Sequence, residues 1–90
     1  MNEEPKRIDF SKTFDKQLRL APLKIKTAFQ KRFELFLADS FHPQLNNHLL
    51  SGKFWGHRSI SVTGDWRAIF RVTDDSVIFE ALGTHSQLYK

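Results

Sequence analysis

The chain of 90 residues contains no cysteine. That absence excludes disulfides, thiolate metal ligands and a cysteine nucleophile together. Glycine and proline are sparse, at four and three residues, so neither a collagen-like repeat nor a Pro/Gly-rich disordered tract fits the composition. No apolar run approaches the roughly 18 residues that a membrane helix needs. The opening MNEEPKRIDF is charged and lacks the apolar core of a secretory signal, so the expected location is the cytosol. Walker, Rossmann, GxSxG and HExxH patterns are missing, and nothing points to a nucleotide or organic cofactor. Acidic residues are the minority, 10 against 14 Lys and Arg, for a net charge of +4. This is a moderate bias toward polyanions such as nucleic acid, or toward an acidic protein partner.

What is present is aromatic. Nine phenylalanines and an apolar fraction of 40% argue for a folded chain, because disordered chains cannot bury enough apolar surface to offset ordering. The length predicts one domain over residues 1–90, with a single core of modest size.

Lys6 to Phe10 reads as a short strand after Pro5. Ser11 follows as a helix N-cap, its hydroxyl placed to accept from an amide of the first turn. Phe14 and Leu18, four apart, share one helical face. Pro22 suits the first turn of a second helix, where no amide donor is needed. That helix is expected to run to about Ala38, with Ile25, Ala28, Phe29, Phe33, Phe36 and Leu37 as its apolar stripe. Residues 39–54 read as a loop crossing to the sheet. Alternation then marks three strands. Arg58, Ile60 and Val62 oppose Ser59, Ser61 and Thr63. After a turn at Gly64-Asp65, Trp66, Ala68, Phe70 and Val72 oppose Arg67, Ile69 and Arg71. After Asp74-Asp75, a last strand runs from Ser76 to Leu82. The predicted fold class is α+β, in the order β-α-α-β-β-β, with an antiparallel sheet packed against an αα-hairpin.

The four histidines, His42, His48, His57 and His85, lack the i, i+4 and HxH spacings of a metal site, so none is assigned to metal. His42 and His57 read as surface loop residues. His85 is different: it follows a Gly-Thr exit from a strand and lies four residues before Tyr89, which puts an imidazole and a phenol on one short segment. An imidazole gives or takes a proton near pH 7, and a phenol hydrogen-bonds a phosphate. Arg67 and Arg71 share a strand face; such a pair most often forms a solvated outer face or salt bridges, but it also suits bidentate phosphate contact. Trp66 aligns with Ala68 and Phe70 and reads as core, whereas Trp55 is free to stack. Lys12, Lys16, Lys24 and Lys31 belong to a solvated helical face that also suits contact with ribosomal RNA phosphates.

Four strings together carry a resemblance: His48-Leu49-Leu50-Ser51-Gly52; Gly56-His57-Arg58-Ser59-Ile60-Ser61; Gly64-Asp65-Trp66-Arg67-Ala68-Ile69-Phe70-Arg71; and Phe79-Glu80-Ala81-Leu82-Gly83-Thr84-His85-Ser86-Gln87-Leu88-Tyr89. The chain resembles the YafQ branch of the RelE/ParE toxin superfamily over nearly its whole length. The resemblance implies a RelE-like fold and the toxin of a type II toxin–antitoxin pair. Its expected activity is a metal-independent endoribonuclease that cuts mRNA on the ribosome, with no cofactor. Expected partners are a cognate antitoxin, the ribosome and mRNA, with no membrane; the free toxin is expected to be a monomer that enters a larger assembly with antitoxin.

By the same resemblance, His85 is the general acid toward the leaving 5′-oxygen, and His48 or Asp65 is the base on the 2′-hydroxyl. Arg67 offsets phosphate charge and Tyr89 positions the nucleotide. Two positions depart from the pattern. Ser61 stands where these toxins have His, and Ala81 where they have Arg. Ser cannot shuttle a proton near pH 7, and Ala cannot hold a phosphate. Arg71 and Lys53 are the remaining cations for that role. The alternative implied by these gaps is a non-catalytic protein of the same fold, such as a ParE-like gyrase inhibitor or a degenerate toxin.

Overall fold

A computed structural model describes residues 6–89. The order is β1 (Arg7–Phe10), α1 (Lys12–Leu20), α2 (Leu23–Ala38), β2 (His48–Leu49), β3 (Arg58–Ser61), β4 (Trp66–Val72), β5 (Ser76–Thr84) and a one-turn helix α3 (His85–Leu88). The strands form one sheet in the order β1-β5-β4-β3-β2.

Ser11 caps α1 as its sequence predicts, its Oγ accepting from the Phe14 amide at 3.0 Å and donating to the Glu80 carbonyl at 3.1 Å. One hydroxyl thus starts the helix and ties it to β5. Pro22 stands at the N-cap of α2. The meander β3-β4-β5 is antiparallel. The N-terminal strand joins it in parallel, Arg7 to Phe10 lying beside Ser76 to Phe79, so the sheet is mixed. The αα-hairpin between β1 and the meander supplies the long crossover that parallel neighbours require. The core lies between this hairpin and one sheet face. Phe79 sits at its centre, fully buried, with the rings of Phe10, Phe14, Phe29, Phe33, Phe36 and Phe70 all at centroid distances of 5.2–5.9 Å.

The mixed sheet replaces the antiparallel one expected, and the structure departs from the sequence reading in four further places. Residues 39–54 are not all loop: they hold β2 and two 3₁₀ turns, Pro43–Leu45 and Gly52–Phe54. The strand expected over 58–63 ends at Ser61, and the last strand runs on to Thr84. Leu37, assigned to the buried stripe of α2, is 57% exposed. Finally, the β4–β5 register slips by one between Ile69, which faces Ala81, and Phe70, which faces Phe79. Glu80 is the extra residue. This bulge lets Phe79 and Leu82, three apart, both join the core, which strict alternation forbids.

Candidate active site on the sheet face opposite the helices

Strand alternation places Ser59, Ser61, Arg67, Ile69, Arg71 and Ala81 on the face turned away from α1 and α2. The pairing sets two rows across it. One is Ser61–Arg67–Gly83; the other is His48–Ser59–Ile69–Ala81. The two departures from the family pattern, Ser61 and Ala81, therefore lie in adjacent rows of one face.

The corner near Gly83 collects most of the expected chemistry. Thr84 caps α3 in a capping box: its Oγ1 accepts from the Gln87 amide at 3.1 Å, and the Gln87 side chain accepts from the Thr84 amide at 2.9 Å. Gly83 is needed beneath this turn, since a Cβ there would lie 3.3 Å from the Leu88 side chain and 3.1 Å from that of Gln87. The Gly-Thr-His sequence thus folds α3 flat against β5. His85 opens the turn and Tyr89 follows it, their rings 4.7 Å apart. The His85 amide donates to the Asp65 carbonyl at 3.1 Å, which joins α3 to the β3–β4 turn.

Arg67 emerges beside this corner. Its Nη1 donates to the carbonyls of Thr63, Gly64 and Trp66 at 3.0, 3.0 and 3.2 Å. The guanidinium is thereby fixed by backbone, while its Nε and Nη2 donors meet no acceptor among the described residues. That edge has the fork geometry that a phosphate accepts. His48 sits on the edge strand β2, two strand spacings, about 10 Å, from β4. Its Nδ1 lies 2.8 Å from the Asn46 carbonyl. A carbonyl only accepts, so Nδ1 carries the proton and the neutral ring keeps its lone pair on Nε2.

The other cations on this side are engaged. Lys53 donates to the Leu88 carbonyl at 3.0 Å, tying the 52–54 turn to α3, and Arg71 pairs with Glu80. His57 also reaches Glu80, its Nε2 3.5 Å from the carboxylate. It is not the surface loop histidine its sequence suggested: its side chain is 24% exposed and its Nδ1 is buried without a partner. Only the bulge at Glu80 reveals this cluster. The faint signal in sequence was two residues, Glu80 and Ala81, between core positions Phe79 and Leu82. His42 instead caps the Pro43–Leu45 turn through Nδ1.

The structure therefore brings His85, Tyr89, Asp65 and Arg67 to one corner, sets His48 across the face, and places Arg71 and Lys53 at its flank. It separates the helical lysines. Lys12 and Lys16 stand on α1, behind the sheet, whereas Lys24 and Lys31 line a shallow hollow beside Thr63, two residues from Asp65. Trp66 is partly buried against the core, and Trp55 is 80% exposed.

Residues 6–90 match the family described as the bacterial toxin of type II toxin–antitoxin systems, YafQ. The mRNA interferase toxin YafQ of Escherichia coli K12 is 29% identical over 86 residues, spanning 91% of this chain and 94% of that toxin. The crystal structure of YafQ from E. coli BL21(DE3) superposes with a TM-score of 0.81 at 24% identity, covering 96% of this chain and 100% of that one. A chain of the E. coli DinJ–YafQ toxin–antitoxin complex superposes with a TM-score of 0.78 at 26% identity, covering 94% and 98%. With the family model matched over residues 6–90 and the fold shared with these structures, the chain belongs to the YafQ family of bacterial type II toxin–antitoxin toxins.

Proposed function

We propose that the chain is an endoribonuclease that cleaves mRNA at the ribosome without a metal ion, and that a cognate antitoxin restrains it. The reading draws on the family, on the mRNA interferase activity named for its E. coli relative, and on the DinJ partner of that relative. One observation carries the chemistry: His85 and Tyr89 share a capped turn that is hydrogen-bonded to Asp65 and lies beside the open edge of Arg67. The target places the action in the cytoplasm, and no described helix is long and apolar enough to cross a membrane. The free toxin acts as a monomer.

In the proposed step the 2′-oxygen attacks phosphorus and the bond from phosphorus to the 5′-oxygen breaks. The products are a 2′,3′-cyclic phosphate and a 5′-hydroxyl. His85 gives the proton to the departing 5′-oxygen. His48 takes the 2′-hydroxyl proton, since the Asn46 carbonyl leaves its Nε2 as the acceptor. Asp65 is the alternative base, close to His85 but on the exposed turn. Arg67 stabilises charge on the phosphate through its free edge, where preorganised donors act without reorganisation. Tyr89 stacks on the nucleotide. Lys53 and Arg71, with Lys24 and Lys31, contact RNA or ribosome around this centre, and Lys12 and Lys16 do so from the opposite side.

A second reading has its own support. Ser61 and Ala81 remove an imidazole and a guanidinium from the face, and Lys53 and Arg71 already have partners. This describes a toxin fold that has lost cleavage and acts by binding, as a ParE-like gyrase inhibitor does. Expression without antitoxin separates the two. The enzyme reading expects growth arrest with in-frame mRNA cuts, and His85→Ala relieving both. Arrest with intact mRNA and blocked gyrase supercoiling establishes the second.

A further inference from the structure

Ala81 leaves the face opposite the helices without one cation, and two others stand on that side to replace it, Arg71 and Lys53. Charge and position separate them. Arg71 pairs with the Glu80 carboxylate, which His57 also reaches, so its charge is neutralised within that cluster. It also lies four residues beyond Arg67 on β4, roughly 13 Å along the strand. Lys53 is exposed, and no carboxylate pairs with it among the described residues. The bond it makes is to a neutral acceptor, the Leu88 carbonyl at 3.0 Å. An ammonium carries three donors, so two remain for a ligand.

The Leu88 bond fixes where that charge sits. Leu88 ends α3 and packs over Gly83, where a Cβ would lie 3.3 Å from its side chain. Gly83 and Ala81 are alternate residues of β5, on one face and about 7 Å apart. Lys53 thus brings an ammonium from the β2–β3 connection to the strip that a long side chain at position 81 would cover from β5. Phe54 holds this approach. Its ring meets that of Tyr89 edge-on at 5.5 Å and that of His57 at 6.0 Å, and the Lys53 ammonium lies 5.3 Å from its centroid. A lysine on the last carbonyl of a helix commonly only caps it. This one caps a turn that begins at His85 and is followed by Tyr89, so the cap also sets a positive charge beside the proposed reacting centre.

We infer that Lys53 takes the place of the missing cation and touches the scissile phosphate, whereas Arg71 does not. The Lys53 ammonium donates to a non-bridging phosphate oxygen while keeping its bond to the Leu88 carbonyl. No proton leaves it: the proton of the 2′-hydroxyl still goes to the base, and the 5′-oxygen still takes one from His85. Lys53 offsets the charge that grows on the phosphate oxygens, from a position fixed before substrate arrives. The inference rests on the endoribonuclease reading. It adds that the charge absent at Ala81 is supplied by a different segment of the same chain.

The test is single-turnover cleavage of a reporter mRNA on purified ribosomes, with ribosome binding and thermal unfolding measured beside it. Lys53→Gln removes the charge and keeps a donor for the Leu88 carbonyl. At saturating ribosomes it is expected to slow cleavage about tenfold or more, with binding weakened less than the rate. Lys53→Arg is expected to retain most of the rate. Adding Ala81→Arg is expected to restore the rate of Lys53→Gln, by a larger factor than the same change raises the native chain, because two cations that serve one phosphate do not act additively. A lysine that only braces α3 gives another pattern: stability falls together with the rate, and Ala81→Arg rescues neither. That pattern overturns the inference, as does an unchanged rate in Lys53→Gln. So does an Arg71→Gln variant that slows the bound complex as much and is the one Ala81→Arg rescues, which gives the role to Arg71. If the native chain leaves ribosome-bound mRNA intact, the endoribonuclease reading itself has failed, and the inference falls with it.

Discussion

Phe79 concentrates much of the core in one side chain. It is fully buried and touches six other aromatic rings, so truncation leaves a cavity that neighbours anchored on four different elements cannot close. Phe79→Ala is expected to cost about 3–5 kcal/mol, read from the urea midpoint, out of the roughly 5–15 kcal/mol typical of a small domain. Ala81 poses the opposite question. It lies beside Ile69 on the sheet face opposite the helices, one row from Arg67 and two residues before the corner that holds His85. Ala81→Arg restores the cation of the family pattern, and a charge-assisted phosphate contact contributes about 1.5 kcal/mol or more. Cleavage of reporter mRNA is therefore expected to rise about tenfold; no gain would show that phosphate charge does not limit this chain. His85 and Tyr89 were legible as a pair because four residues of one turn set their distance. His57 was not, since its partner Glu80 lies 23 residues on and reaches it only through a bulge.

The one-turn helix α3 is too short to hold itself, because a single turn fixes several dihedrals for one hydrogen bond. It stands on three supports: the Thr84–Gln87 capping box, the Lys53 bond to its last carbonyl, and the close approach over Gly83. Thr84→Ala is expected to cost about 1 kcal/mol in thermal unfolding, yet to lower cleavage by much more than that loss explains, because His85 and Tyr89 lose their register. Equal effects on both would mean that α3 is scaffold only. The β4–β5 turn holds a carboxylate within a small hydrogen-bond network. Hydrogen bonds from Ser76 and then Thr73 hold the Asp75 carboxyl below its ordinary value of 3.8. A depressed native pKa means that the unfolded chain binds the proton first on acidification. The turn's contribution is present above pH 3.8 and is lost as pH falls through the lower native value. Asp75→Asn is expected to flatten that acid limb of stability while leaving its slope near neutrality unchanged, measured by thermal unfolding across pH. The group is exposed, so the effect is small.

Across the whole molecule, charge is sorted by side. The helices present Lys12 and Lys16 behind the sheet, while Lys24 and Lys31 adjoin the β3–β4 turn near the candidate site. Phosphate contacts give binding a steep salt dependence, with a slope falling by about 0.7 per contact removed on single strands. Lys24→Glu with Lys31→Glu is expected to weaken RNA or ribosome binding and to reduce that slope by about 1.4. Lys12→Glu with Lys16→Glu is expected to do less. Equal loss from both pairs would mean that the side behind the sheet contributes as much to binding as the side near the β3–β4 turn. A net charge of +4 alone cannot make this distinction, because it has no direction.

Local chemistry is what the sequence by itself determined. Ser11 caps a helix, period-2 alternation makes a meander, and Gly-Thr-His-x-x-Leu-Tyr sets a His–Tyr pair on one turn; each depends on neighbours a few residues apart. Tertiary structure alone decided the rest. It docked β1 in parallel on β5, drew His48 from an expected loop into β2, and inserted Glu80 as the extra residue that gathers His57 and Arg71. It also left Leu37 and Phe41 uncovered at the end of α2. Each of those outcomes joins segments far apart in the chain, where strand register and the reach of a helix over a sheet, rather than residue type, choose the partner.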